Sequence, residues 1–391
     1  MLPSPSRAAG LARLDAFLPA AGRAYAARRN HDSGPGLRSE VSMLSGHLRH
    51  RLVAETEVLA AVIARHGTTA AEKFIQEVCW RTYWKGWLEL RPAIWQRYRA
   101  SLAELERGAG WRRAVEGRTG IDCFDAWAQE LVETGYLHNH ARMWMASLWT
   151  HTLRLPWQLG AEWFLTHLID GDPASNTLSW RWVVGLQTQG KTYLARADNI
   201  AQYTGGRFQP TGLAPVAEAL PPEPLPSPRR LASADSLPVG PFALLVTEED
   251  STPDQVLGDR HPAAIAVQAA PMARDQAALP PPVASFVQGA LDDTAQRLSA
   301  WAGVTVERIA LHDAASWAGP LPLVMLAPPV GPVAEAVGDL ACHRLRRAWD
   351  DAAWPHATRG FFPFRERIPE LLVRAGLDQS DLPLFQDRRA S

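Results

Sequence analysis

The chain has 391 residues, 47% of them hydrophobic and 21% charged, with a formal net charge of −1. Such a length suits two domains with a substantial core, and no global basicity marks the chain as a nucleic-acid coat. Cys79, Cys123 and Cys342 are too scattered for a disulfide framework or a zinc site and too few for a four-cysteine iron–sulfur cluster, which points to a reducing compartment. No charged leader with an apolar stretch behind it and no apolar run of transmembrane length stands out, so a cytoplasmic protein is expected. Charge is unevenly divided, with 27 Lys and Arg against 21 Asp and Glu in residues 1–230, but 13 against 20 in residues 231–391. A phosphate-binding face, if there is one, belongs to the first half.

In chain order, apolar residues at three- and four-residue steps predict helices over Leu11–Ala27, Ser42–Arg65, Ala71–Leu90, Phe124–Thr134, His138–Leu153, Gly160–Ile169 and Pro173–Leu186. Residues 210–241 then hold nine prolines around Pro221-Pro222-Glu223-Pro224, the composition of an extended, semi-rigid linker. Beyond it the period changes. Phe242–Thr247, Ala263–Ala269, Val304–Leu311 and Leu321–Leu326 read as buried parallel strands, with Val283–Ala302 as a crossover helix. The expectation is therefore a helical domain over residues 1–208, a linker over 209–240 and a small α/β domain of four or five strands over 241–391.

The chemistry concentrates between Tyr136 and Trp182. Asp170-Gly171-Asp172 follows an apolar run, and Pro173 suits the first position of a new helix. Asp172 is then the N-cap and Asp170 a spare carboxylate. Asn139 and Met143 share a helix face, and Arg142 is placed to reach a buried acid, with Asp170 the evident partner. Asn176 and Trp180 share a face of the next helix, whereas Trp182 lies about 200° round from Trp180. His138 and His140 offer two metal ligands with no third nearby, so no metal site is expected. Of 16 tryptophans, 12 fall between Trp80 and Trp182, more than the packing of a helical domain requires.

These residues, with Tyr25-Ala26-Ala27-Arg28-Arg29, Ser42-Met43-Leu44-Ser45-Gly46-His47-Leu48, Glu77-Val78-Cys79-Trp80-Arg81, Thr119-Gly120 and Asp125-Ala126 upstream, resemble the photolyase/cryptochrome family over roughly residues 9–205. The likeness is to its helical FAD-binding domain and is strongest to the cyclobutane-dimer photolyases. It implies a mainly α fold: an all-helical FAD-binding domain followed by the proline-rich linker and the smaller parallel-sheet α/β domain. Family members usually carry an α/β domain first, so the order here reads either as a circular permutation or as an unrelated appended domain. No glycine-rich phosphate loop follows Phe242–Thr247, and the reading does not extend to an antenna chromophore.

By the resemblance, Tyr25, Val41, Ser42, Met43, Leu44, Ser45, Phe74, Arg81, Arg142, Asp170, Asp172 and Asn176 would hold FAD. Ser42 and Ser45 would offer hydroxyls and free N–H groups to the pyrophosphate, Arg81 would lie near the phosphates, and Asn176 would face flavin N5. Phe74 stands where many members have tryptophan. Glu77, Trp80, Asn139, Met143 and Trp182 match the positions that receive a flipped-out dimer. Trp180 and Trp157 match the first two members of an electron-transfer chain; Trp95 and Trp111 remain open as the third. Glu77, Asn176, Trp180 and Trp157 are thus the expected catalytic set. The segment from Gln187 to Arg196, which follows the second clamp tryptophan, departs from the family pattern. The implied activity is light-driven repair of cyclobutane dimers in UV-damaged DNA by a monomeric lyase; the alternative is a cryptochrome-like blue-light photoreceptor.

Overall fold

A computed structural model describes residues 4–274 and 278–377. Residues 4–203 are helical: α1 Arg7–Phe17, α2 Arg23–Arg28, α3 Ser45–Arg49, α4 Glu55–Ala70, α5 Glu72–Glu89, α6 Pro92–Leu102, α7 Ala109–Val115, α8 Asp122–Thr134, α9 Asn139–Ser147, α10 Trp157–His167, α11 Pro173–Val183 and α12 Ala197–Tyr203. The predicted helix over Ser42–Arg65 is broken, because Arg51 sits at φ 49° and turns the chain between α3 and α4. The first predicted helix is likewise split, with a short 3₁₀ turn at Leu18–Ala20 between α1 and α2. Two helix ends follow from sequence chemistry. The Asp172 side chain caps α11 by accepting from the Ser175 N–H at 2.7 Å, with Pro173 at the first helical position. α8 stops at Gly135, whose φ of 64° suits a residue without Cβ.

Residues 204–242 form no helix or strand and strap across the helical body, where the Arg91 and Arg97 guanidinium groups donate to Pro226 O and Pro224 O. The sheet follows: β1 Ala243–Val246, β2 Ala264–Gln268, β3 Val306–Ile309, β4 Leu323–Leu326 and β5 His343–Leu345, interleaved with helices α13 Asp254–Leu257, α14 Pro281–Ala302, α15 Ala314–Ala318 and α16 Pro332–Val337. All four strand pairings are parallel, in the order β3-β2-β1-β4-β5. This is a doubly wound sheet whose order reverses between β1 and β4. The central strands β1 and β4 are buried along their whole length, which is why they read as continuous apolar runs.

After β5 the chain returns to the helical body as α17 Ala348–Ala353, α18 Phe361–Arg365 and α19 Ile368–Arg374. Trp349, Trp354, Phe361, Phe364 and Leu371 belong to the same core as α4, α5 and α10. Trp349 Nε1 donates to Thr82 Oγ1, and Tyr83 Oη donates to Arg359 O.

The sheet and the helical body meet through buried charge. The loop after β1 brings Glu248, Glu249 and Asp250 to the turn after α3. Arg49 makes a bidentate pair with Glu249 at 2.6 and 2.7 Å, and Arg347 makes one with Asp250 at 2.7 and 2.6 Å. Arg51 reaches Asp350, Glu55 and Asp250. Removing one partner of a buried pair costs about 3–5 kcal/mol because the other charge is stranded. Glu249→Ala is therefore expected to lower unfolding free energy by that amount in urea titrations, while Glu370→Ala, on the exposed Arg367–Glu370 pair, changes it by less than about 1 kcal/mol.

Candidate functional site

Of the predicted residues, Arg81, Arg142 and Ser45 meet Asp170 and Asp172 at the loop between α10 and α11. Asp170 accepts a hydrogen bond from Arg142 Nη1 at 3.0 Å, the pair expected from spacing. Burial pushes the Asp170 carboxyl up, but Arg142, Arg81 and the Ser45 hydroxyl outweigh it and hold it below the ordinary range. Asp172 lies 3.6 Å from Lys85 Nζ, 3.8 Å from Arg81 Nη1 and 3.9 Å from Arg49 Nε. Burial opposes ionisation of Asp172 as well, and these three cations override it. Lys85 moves down from its usual value, mainly through burial. The Arg81 Nη1 and Lys85 Nζ donors are buried without a hydrogen-bond acceptor among the described residues.

Two arginines clamp the backbone of this loop. Arg49 Nε donates to Gly171 O at 2.8 Å. Arg274, from the sheet half, donates to Leu165 O and Leu168 O at 3.1 and 2.5 Å. A Cβ at Gly171 would stand 2.5 Å from Arg274 Nη1 and 2.4 Å from Leu165 O, so only glycine fits there.

Around the loop, Met43 holds φ 52° between Ser42 and Leu44, and Ser42 Oγ accepts from the Leu44 N–H. Such an outlier in a non-glycine residue marks a turn held by its surroundings. Val41, Ser42, Met43 and Ser45 are half-buried and Leu44 is fully enclosed. Tyr25 and Phe74 meet edge to face, 4.9 Å apart. The Asn176 Nδ2 group donates to Ala161 O at 2.7 Å, which fixes the amide with its oxygen free to accept.

The residues matched to substrate positions are more open. Glu77, Trp80, Met143 and Trp182 are half-buried and Asn139 is exposed. Glu77 pairs with Arg29 at 2.6 Å, yet burial raises its pKa above the usual carboxylate value. Trp182 stacks on Tyr193 with ring centroids 5.4 Å apart.

Trp180 meets Trp149 edge to face at 6.2 Å, and Trp149 stacks on Trp163 at 5.9 Å. Trp157 stacks instead on Tyr98, and Tyr98 packs on Trp95. Sequence reasoning missed Trp149, Lys85, Arg49 and Arg274. For Lys85 the signal was available, since Glu77, Arg81 and Lys85 recur every four residues along α5.

Residues 74–212 match the family model described as the FAD binding domain of DNA photolyase. The helical half of the chain resembles a photolyase. Among curated relatives, the deoxyribodipyrimidine photo-lyase of Streptomyces griseus is 35% identical over 184 residues, 44% of this chain and 40% of that protein. A deoxyribodipyrimidine photo-lyase of Thermus thermophilus is 36% identical over 219 residues, covering 54% of this chain and 50% of that protein. Among solved structures, a bacterial class III photolyase from Agrobacterium tumefaciens aligns with a TM-score of 0.45 at 26% identity, covering 51% of this chain and 43% of that one. The chain thus spans half or less of the length of these photolyases. Among the described residues no group of three or more His, Cys, Asp or Glu could hold a metal, and no helix is long and apolar enough to cross a membrane.

A Cβ at Gly160 would lie 2.3 Å from Trp180 Cη2 and 3.0 Å from Trp149 Cε2. Gly160→Ala should therefore cost about 1–3 kcal/mol and alter the near-UV circular dichroism of the indoles. His138 is a cap that titrates: its ring nitrogen accepts from the His140 N–H at the start of α9. Burial pushes its pKa down to about 4, against the pull of Asp32. The unfolded imidazole takes up its proton near pH 6.5, so His138 contributes fully above about pH 6.5 and its contribution is lost as pH falls toward 4. Urea titrations at pH 7.5 and 5 should show a smaller acid-induced loss of stability in His138→Asn, which keeps a cap and removes the titration.

Proposed function

We propose that the protein is a flavin-dependent DNA photolyase that splits cyclobutane pyrimidine dimers in light. The observation that carries this reading is the composition of α5: Glu77 and Trp80 lie on the same helix as Arg81 and Lys85, whose unfilled donors lie beside Asp172. One rigid helix thereby joins substrate-matched Glu77 and Trp80 to cofactor-matched Phe74 and Arg81.

The polar groups present suit an anionic cofactor such as FAD. Arg81 Nη1 and Lys85 Nζ lack acceptors, the Ser42–Ser45 turn is half-buried, and the Asn176 oxygen is free to accept from a reduced, protonated N5. Tyr25, Val41, Ser42, Met43, Leu44, Ser45, Phe74, Arg81, Arg142, Asp170, Asp172 and Asn176 would hold it. When bound, reduced FAD would supply a light-excited electron that opens the cyclobutane ring and then returns, with no net redox change.

The chain's own work is to receive and orient the lesion. A dimer must leave the duplex to reach a buried site, at a cost of a few kcal/mol that is smallest for damaged bases. Stacking on Trp80 and Trp182, worth about 1–3 kcal/mol per base, offsets that cost. Glu77, with its raised pKa, would hydrogen-bond the thymine edge beside Asn139, and Met143 would pack against it. Trp180 and Trp157 would relay electrons to the site from outside, with Trp149 a further neighbour of Trp180. The sheet half would be either a permuted unit of antenna type, without an assigned pigment, or an unrelated appended domain.

The test is repair of an oligonucleotide carrying one cyclobutane thymine dimer, followed at 260 nm with chemically reduced, FAD-loaded protein in blue light and in the dark. Light-dependent recovery of thymine absorbance is expected, falling about 10–100-fold in Glu77→Ala, the cost of a lost hydrogen bond to a charged group. Protein that photoreduces its flavin and leaves the dimer intact would instead be a photoreceptor.

A further inference from the structure

The C-terminal return segment touches the proposed base-receiving site, although it lies outside the residues matched to the photolyase domain. Phe361 lies face to face with Trp80, with ring centroids 3.6 Å apart and planes inclined by 12°. At about 100° per residue, Trp80 lies about 60° round α5 from Glu77, and Tyr83 about 60° farther in the same direction, while Arg81 and Lys85 lie on the other side. Phe361 packs on Trp80 and Tyr83 together, so it approaches from the side away from Arg81, Lys85 and Asp172. Trp84 borders Trp80 at 5.3 Å, tilted by 36°. Trp80 nevertheless keeps part of its surface exposed.

The next residue is the opposite of Phe361. Phe362 is 68% exposed at the start of α18, beside exposed Arg359 and with the Arg365 guanidinium 5.4 Å over its ring. Among the described residues neither Arg359 nor Arg365 is engaged in an ion pair. The acids of this stretch are Glu366 and Glu370, and Glu370 is paired with Arg367. An exposed aromatic ring flanked by guanidinium groups with no ion-pair partner among the described residues suits nucleic acid: the cations meet phosphates and the ring enters a base step.

We propose that the segment around α18 is part of the DNA-binding site: Phe361 backs Trp80 as a stacking platform, and Phe362, with Arg359 and Arg365, fills the gap that an extrahelical dimer leaves in the duplex. The proposal rests on the photolyase reading. It separates two functions on neighbouring residues, since a platform serves single and double strands alike, whereas a wedge serves only a duplex that has lost a pair of bases from its stack.

Binding of full-length, FAD-loaded protein to fluorescein-labelled dimer oligonucleotides, single-stranded and duplex, tests this by anisotropy. Phe362→Ala should weaken duplex binding about tenfold, the worth of a stacked base, and leave single-strand binding and single-strand repair unchanged. Phe361→Leu should weaken both forms. An adenine analogue such as 2-aminopurine opposite the dimer should brighten on binding wild-type protein and brighten differently with Phe362→Ala. Unchanged duplex affinity in Phe362→Ala, or equal losses on both strands, would overturn the wedge while leaving the lyase reading intact. Wild-type protein with no preference for dimer over undamaged DNA in either form would sink the lyase reading, and this extension with it.

Discussion

Arg49 is the interaction on which the rest of the structure turns. One edge of its guanidinium holds Gly171 O, inside the Asp170–Asp172 loop, and the other is locked bidentately to Glu249 at the end of β1. A bare arginine in that position would be prohibitive, because burial strips its hydration. With Glu249 and Asp172 beside it, its pKa rises above the ordinary value despite burial. The loop that carries both site carboxylates is therefore fixed by a cation whose counterion belongs to the sheet.

The two halves consequently do not behave as beads on a string. Arg274 repeats the arrangement from the opposite direction, with a guanidinium from the sheet half on the carbonyls of Leu165 and Leu168. Glu248, in the loop after β1, lies near it and ties down the loop after β2 by accepting from the Met272 N–H at 2.6 Å. Buried ion pairs contribute little net stability against apolar replacements, but they penalise any arrangement that separates the partners. Here that penalty applies to the position of the site loop. The proline strap over 209–240 and the return helices α17–α19 then keep the chain ends of the sheet on the helical body. In this architecture the sheet half has a task regardless of pigment: it supplies the counterions that set the site loop.

What the sequence could and could not express follows from how far each interaction reaches. The strands were legible because a parallel sheet covered on both faces demands continuous apolar runs, as in Ala243–Val246. The α11 start was legible because Asp172-Pro173 is local capping chemistry, and Arg142–Asp170 because a helix face restricts where Arg142 can aim. The break after α3 was not, since apolar spacing from Ser42 to Arg65 continues through Arg51, and its left-handed backbone is stabilised by Asp350, 299 residues away. The return helices were hidden for another reason. Pro355, Pro363 and Pro369 cut them into pieces too short for a helical period to show, and their apolar residues pack onto α5 as well as on one another.

The charge around Asp172 gives a physical reason for the site to retain an anion. Arg81 and Lys85 share Asp172 with Arg49, but Arg49 already has Glu249, and Asp170 is engaged by Arg142. One carboxylate is left between two cations whose buried donors find no acceptor at hydrogen-bonding distance. An unpaired buried donor costs about 1–3 kcal/mol, more when it is charged. Lys85 responds in the expected direction, its pKa lowered by burial. An anionic group reaching Arg81 would remove part of that cost, and a ligand bound at 100 times its dissociation constant stabilises the fold by about 2.7 kcal/mol. The protein's own groups therefore leave a deficit of acceptors that an anionic cofactor would fill, and the same deficit is why cofactor binding and fold stability should rise together.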